Sequence, residues 1–280
     1  MHLAVTIVLT VMFLFFSSVL ISWVLVSRIV YTTEILKPGE AYISNGREYV
    51  FPNLEVHGEC FKLKDEVVKS LRSILTKVGR FLDNEQVKWW VTGGTLLGSV
   101  RHASIPMPFD DDCDIAVSLT NRDKVFSSDF ADRALNNGID LFTLFGNNKK
   151  SADRHGSVVR AQHNGGNAYE SLDIFFWETK TNGKVVKLDG WNKNGQNVES
   201  VSEIFNFDDV FPIKRKVIDG LDICTVNKPR NVIEQQYSSN VWKSILPRPL
   251  LISHSFPLRF LNLLFIRGST RRKLGYKQNV

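Results

Sequence analysis

The sequence predicts an α/β (α+β) protein: one mixed sheet flanked by helices, preceded by one N-terminal transmembrane helix. Three observations carry this. The run from Leu3 to Val26 holds no charged residue. From Leu63 apolar residues recur at helical spacing. After that, short apolar segments alternate with polar turns, as strands do. With 43% hydrophobic and 23% charged residues in 280, the composition excludes a disordered, collagen-like or coiled-coil chain. Once the apolar run is set aside, roughly 250 residues remain, enough for one well-buried domain.

The N-terminal run would extend about 36 Å as a helix, against a hydrocarbon core of about 30 Å. Its polar residues are Thr and Ser, whose hydroxyls can bond back to helix carbonyls, and Trp23 and Tyr31 fall where interfacial aromatics are expected. The run is too long for a cleaved signal peptide, lacks a basic leader and is not followed by an A-x-A site. It reads as an uncleaved signal-anchor over 1–28, dipping into a lipid bilayer.

Residues 29–60 read as a stalk, because Pro38, Gly39, Gly46, Pro52 and Gly58 interrupt any regular element. Val67, Leu71, Ile74, Leu75, Val78 and Leu82 then define an amphipathic helix ending near Asp83-Asn84. Val87–Val91 is a strand bounded by Gly93-Gly94. Thr95–Arg101 is a helical turn and Cys113–Leu119 a second strand. Asn121 caps a helix running to about Asn137, and Gly138 closes it. Ile139–Phe145, Ser157–Gln162 and Ser171–Trp177 are three further strands, Asn192–Asn197 is a loop, and Pro229–Trp242 is helical. Residues 61–245 form the expected catalytic domain, and 246–280 an apolar and then basic tail.

The formal net charge is +6, and Arg267, Arg271, Arg272, Lys273 and Lys277 place most of the excess in the tail. A chain-wide nucleic-acid footprint is therefore not expected. Cys60, Cys113 and Cys224 are widely spaced and match no zinc pattern.

The chemistry concentrates between Trp89 and Val117. Asp110, Asp111, Asp112 and Asp114 fall within five residues, a density of negative charge that is costly unless cations neutralise it. On a strand, positions i and i+2 face the same way about 6–7 Å apart, so Asp112 and Asp114 suit one Mg²⁺ (or Mn²⁺) or a bridged pair of ions. Gly93-Gly94 follows a strand and opens a helix, presenting backbone N–H groups that suit phosphate. Asp173 lies between Leu172 and Ile174 on an apolar strand, where a charge needs a reason; it reads as the third carboxylate of the metal site. Trp89 and Trp90 read as core.

The order strand, GG, helix, loop, DxD strand resembles the nucleotidyltransferase fold. More specifically, GGTLLGSVRH followed by IPMPFDDDCDIAV resembles the LicD/fukutin pattern GTLLGAVRHxGFIPWDDDIDI, with SLDIF similar to that family's later Asp-bearing strand. Pro229, Tyr237 and Trp242 resemble its C-terminal helix. Met107-Pro108-Phe109 stands in place of the usual Ile-Pro-Trp, Cys113 in place of an aliphatic residue, and Tyr237-Ser238 in place of Tyr-Gly.

The resemblance implies transfer of a phosphorylated alcohol, such as phosphocholine or ribitol phosphate, from a CDP-linked donor to a glycan or glycoconjugate acceptor, with release of CMP. It implies Asp112, Asp114 and Asp173 as catalytic and metal-holding groups. Asp110 and Asp111 serve as further ligands or support them from behind. Gly93, Gly94 and Thr95 would meet phosphate. Arg101 would pair with a diphosphate oxygen or cap its helix, His102 would be a ligand or a structural histidine, and Arg160 would bind phosphate or form a cross-strand ion pair. A nucleotidyltransferase adding a nucleoside monophosphate to a sugar or protein is the alternative enzyme, and an inactive membrane-tethered glycan-binding module the alternative without catalysis. Charges flanking the apolar run favour a cytoplasmic domain, whereas the resemblance favours a single-pass protein of the ER or Golgi with a lumenal domain.

Overall fold

In the computed structural model the described residues are 17, 30–56, 60–143, 158–164, 170–191 and 197–245. Apart from Ser17, the expected membrane segment lies outside them, as do the tail and most of the 192–197 loop. No helix among the described residues is long and apolar enough to cross a membrane.

The expected stalk is largely folded. It forms β1 (Tyr31–Leu36), β2 (Ala41–Ser44), β3 (Arg47–Val50), β4 (Glu55–Val56) and β5 (Cys60–Leu63). β1 pairs with β5, and β2 with β3. Of the glycines and prolines that suggested an irregular spacer, Gly46 makes the β2–β3 hairpin turn together with Asn45, both at positive φ, and Pro38-Gly39 makes the turn between β1 and β2. The hairpin is held from outside by Asp219. This carboxylate, 3% exposed, accepts from Arg47 Nη1 at 3.1 Å and Tyr49 Oη at 2.7 Å, and is also paired with Arg72.

α1 (Asp65–Asn84) appears where the periodicity places it, burying Val67, Leu71, Ile74, Leu75, Val78 and Leu82 along one stripe. Each such side chain contributes about 1.5–3 kcal/mol by leaving water. The stripe packs on a seven-stranded sheet built from β6 (Trp89–Val91), β7 (Asp112–Ser118), β8 (Ile139–Thr143), β9 (Val158–His163), β10 (Ser171–Thr179), β11 (Lys184–Trp191) and β12 (Asn197–Asn206).

β10 is the hinge of the topology. On one edge it runs parallel to β7, in register Ser171↔Asp112 through Trp177↔Ser118. On the other edge its first half pairs antiparallel with β9 and its last residues with β11. Alternation then sorts the side chains. Ile115, Val117, Ile174, Phe176, Val159 and Ala161 face α1 and are buried. The opposite face carries Asp112, Asp114, Asp173 and Arg160 at one end, and Trp90 and Trp177 at the other.

The helix expected over 121–137 is broken. After a single turn at Arg122–Val125, a second helix at Ser128–Asn136 starts where the Ser127 hydroxyl accepts from the Phe130 N–H at 3.2 Å. Sequence periodicity also missed β11 and β12, and the hairpin of β13 (Lys214–Ile218) and β14 (Leu221–Thr225). β11 and β13 carry Lys and Arg, and β12 carries Asn, Ser and Glu, so that the apolar alternation is not clean; β13 is exposed over Lys214–Val217. The C-terminal helix runs over Pro229–Tyr237, and Ser239–Trp242 continue as a 3₁₀ turn.

Candidate active site

The site stands on two cross-strand rows. One reads Arg160, Asp173, Asp114 across β9, β10 and β7; the next reads Asp140, Gln162, Ser171, Asp112 across β8, β9, β10 and β7. Because β7 and β10 are parallel and in register, the carboxylates of Asp112, Asp114 and Asp173 converge, with one oxygen from each within 4.8 Å of the others. Asp114 and Asp173 are 9% and 7% exposed, so three negative charges meet where water screens them poorly.

Two features of the fold make this tolerable. The first is Arg160, whose Nε and Nη2 donate to the two oxygens of Asp173 at 2.6 and 2.7 Å. Burial works against the guanidinium's charge. The Asp173 carboxylate, with Asp112 and Asp114 behind it, outweighs burial and holds its pKa above the ordinary arginine value. The formal balance is three negative charges and one positive, leaving two negative charges among these four side chains.

The second is the turn at the start of a short helix, here α2 (Gly93–Leu97). The Gly94 N–H donates to Asp114 Oδ2 at 3.2 Å, and the Asp114 N–H donates to Thr95 Oγ1 at 2.7 Å. The glycine pair is a steric requirement. Gly93 sits at φ +55, and a Cβ there would lie 2.4 Å from Asp114 Oδ2; a Cβ on Gly94 would lie 2.2 Å from Asp110 Oδ2. The backbone is thus pressed directly against two carboxylates.

The structure separates the expected site residues. Asp112, Asp114, Asp173 and Arg160 are brought together. Gly93, Gly94 and Thr95 border them, and Asp110 lies on Gly94, beside the trio and not within it. Thr95 Oγ1 is occupied in holding the Asp114 backbone. The contacts of Arg101 lie elsewhere: its Nη1 donates to the Val241 carbonyl at 2.9 Å and its Nη2 approaches Met107 Sδ at 3.6 Å. Burial pulls its pKa down to about 10, against the opposing charges of Cys60, Tyr237 and Asp110. His102 is 6% exposed and lies edge-on between Phe51 and Phe109, with centroids 5.8 and 5.5 Å away. Burial, then Arg101, pushes its pKa down to about 3, which keeps the ring neutral. For His102 the structure displays the structural reading, whereas Arg101 bonds the carbonyl of Val241 rather than those of its own helix.

The sequence reading passed over Gln162 and Ser171. Both are fully buried in the row that ends at Asp112, Ser171 directly beside it, and neither the Gln162 amide nor the Ser171 hydroxyl has a hydrogen-bond partner among the described residues. The available signal was polarity at alternate positions, 160 and 162 on one strand and 171 and 173 on the next.

Carboxylates converging at the N-terminal ends of two neighbouring interior strands, backed by a glycine turn, fit a nucleotidyltransferase-like domain. The LicD/FKTN/FKRP nucleotidyltransferase domain model matches residues 86–227, half of the chain, and the protein belongs to that family. The resemblance carried by GGTLLGSVRH and DDDCDIAV is thereby borne out. An uncharacterized protein of Rickettsia typhi and one of Rickettsia prowazekii are each 37% identical over 57 residues, which is 20% of this chain and 18% and 21% of theirs. The chain thus aligns with about a fifth of the length of these curated relatives. Among solved structures, the lincomycin-bound lincosamide adenylyltransferase LnuA aligns over 60% of this chain and 97% of its own, at 13% identity and a TM-score of 0.32. The antibiotic-resistance factor ANT(2'')-Ia aligns over 71% and 98%, at 9% identity and a TM-score of 0.33.

Proposed function

We propose that the protein transfers a phosphorylated alcohol from a CDP-linked donor to a glycan hydroxyl, with release of CMP. The observation that carries this reading is the convergence of Asp112, Asp114 and Asp173 within 4.8 Å on one sheet face. The donor set fits a hard divalent cation: three carboxylates with no thiol or imidazole, carrying together with Arg160 a formal charge of minus two. Asp112, Asp114 and Asp173 would hold Mg²⁺ or Mn²⁺. Such an ion, when bound, supplies positive charge where the attacked phosphorus and the departing CMP become more negative.

The chain's own groups do the rest. Arg160 fixes the Asp173 carboxylate in its rotamer. Asp173 would take the proton of the acceptor hydroxyl only by yielding one of its two Arg160 bonds. The α2 turn keeps Asp114 aligned through the Gly94 N–H and the Thr95 hydroxyl. The N-terminal apolar run would tether the domain to a secretory-pathway membrane, with the domain on the lumenal side.

The test is to incubate the full chain and Mg²⁺ with CDP-choline, CDP-ribitol, CTP or ATP and to identify the released product. CMP from a CDP-alcohol alone supports the reading. Pyrophosphate from a free triphosphate would replace it with nucleotidyl transfer, which the same three carboxylates could serve.

A further inference from the structure

The row beside the trio runs Asp140, Gln162, Ser171, Asp112 across β8, β9, β10 and β7, on the face that carries the carboxylates. Gln162 and Ser171 are each 0% exposed. The Gln162 amide lacks a hydrogen-bond partner at both its nitrogen and its oxygen, and the Ser171 hydroxyl lacks one too, among the described residues. Buried polar groups are ordinarily paired, because an unpaired one gives up its bonds to water for nothing. An apolar side chain would fill either position without that loss. Two such groups side by side, one step from three converging carboxylates, point to a pairing made when the site is loaded.

The neighbouring contacts indicate which pairing. Two members of the trio are each fixed by a donor from an adjoining element. Asp173 accepts from Arg160 at 2.6 and 2.7 Å, and Asp114 accepts from the Gly94 N–H at 3.2 Å. Ser171 stands in register with Asp112 on the adjacent parallel strand, so its hydroxyl is placed as the corresponding donor for the third. Gln162 stands in register with Ser171 on the other side. Its amide nitrogen carries two hydrogens, one for the Ser171 oxygen and one for Asp140, the carboxylate opposite it on β8. An ionised carboxylate accepts and does not donate, so the chain has one direction: Gln162 to Ser171, and Ser171 to Asp112.

We infer that Ser171 and Gln162 are positioning residues for Asp112: when the trio shares a cation, the Ser171 hydroxyl donates to the Asp112 carboxylate, and the Gln162 amide holds that hydroxyl from behind. The inference rests on the cation-holding part of the function proposed above, and not on the identity of donor or acceptor. A carboxylate of Asp112 that turns toward Asp173 turns toward β10, the strand that carries Ser171. The pair thereby does for Asp112 what Arg160 does for Asp173. Groups that orient a metal ligand in this way typically change metal affinity by about 10–100-fold.

The experiment is titration of the full chain with Mn²⁺, the free ion being read by electron paramagnetic resonance, with no donor or acceptor present. Ser171→Ala is expected to weaken Mn²⁺ binding about tenfold. Gln162→Met, which keeps the length and removes the amide, should weaken it less, because Gln162 acts through Ser171. The double variant should bind no worse than Ser171→Ala alone, a non-additivity that two independent packing defects would not show. In EDTA the melting temperature of Ser171→Ala should hold or rise, because an unpaired buried hydroxyl is removed. Unchanged affinity in Ser171→Ala overturns the inference, whether or not Gln162→Met folds, and so does a wild type that takes up no Mn²⁺. A marked fall in the EDTA melting temperature of Ser171→Ala overturns it as well, since the hydroxyl would then serve the fold without a cation. Mn²⁺ uptake with the expected losses, but no CMP from any CDP-alcohol, would count against the phosphotransfer reading alone.

Discussion

Strands β7 and β10 run side by side through two opposite environments on one sheet face. At their N-terminal ends Asp112, Asp114 and Asp173 crowd together with Arg160. Two residue pairs further on, Trp177 packs against Trp90 at 5.6 Å and 83° and against Phe205 at 4.6 Å and 4°, and Phe211 closes on Trp90 at 5.6 Å. Both tryptophans are 1% exposed. Aromatic contacts of this kind stabilise beyond the area they bury, whereas the acid end is held together against its own repulsion. The same two strands therefore anchor themselves at one end and carry a strained charge arrangement at the other. That division predicts different kinds of damage from substitutions only a few residues apart.

The largest effect is expected from Asp114→Asn or Asp112→Asn. If the trio serves catalysis and the aromatic end serves stability, CMP release should fall by about a thousandfold, the scale for removing one group that stabilises transition-state charge. The melting temperature should hold or rise, because one member of a repelling set becomes neutral. Wild-type turnover in either variant would break the comparison at its functional end.

Next is Trp177→Ala, which should cost about 3–5 kcal/mol of stability as a buried aromatic truncation. Turnover per folded molecule should change far less. Chemical denaturation followed by activity at matched folded fraction separates the two. A large loss of specific activity without destabilisation would show that the aromatic end participates in the reaction.

The contrast also explains what was legible in the sequence. The acid end could be read because it violates local expectation: four aspartates in five residues, a Gly-Gly turn, and a lone aspartate on an apolar strand have no cheap structural account. α1 could be read because its apolar stripe has a helical period. Long-range pairings could not be read. For Arg160 the sequence left phosphate binding and a cross-strand ion pair open, and the register with Asp173 supplies the pair; nothing local says that Asp219, at the tip of a late hairpin, receives Arg47, Tyr49 and Arg72 and so folds the expected stalk onto the domain. The edge strand β12 and its neighbour β11 were hidden for a related reason. Paired with one another at the sheet margin, they need no continuous apolar face. The side-chain partners of Arg101 and His102 were likewise beyond local reading: Val241, Phe51 and Phe109 are brought to them from distant parts of the chain.

Arg160→Gln sharpens the comparison from within the acid end. Removing one partner of a buried ion pair typically costs about 3–5 kcal/mol, because the other charge is left uncompensated. Here the remaining charge is three carboxylates, so the loss should be large in EDTA and partly restored by millimolar Mg²⁺ or Mn²⁺. Thermal denaturation with and without metal checks this. Equal destabilisation under both conditions would mean that the trio takes up no cation.

The smallest effect concerns His102, which is close to the glycine turn in sequence but packs with aromatics. Its folded pKa is depressed to about 3, and it is neutral when buried. In the unfolded chain it titrates near 6.5, so the unfolded state binds more protons wherever the pH lies between the two values. The stability from keeping it neutral is therefore fully present above about pH 6.5 and is lost as pH falls toward 3, at about 1.4 kcal/mol per unit. Denaturation midpoints measured between pH 7 and 5 should decline in the wild type. They should decline less steeply in His102→Phe, which keeps an aromatic ring against Phe51 and Phe109 without the titration. If the pH-rate profile of CMP release shifts in His102→Phe while the stability profile does not, the residue belongs with the acid end and the boundary between the two regions must be redrawn.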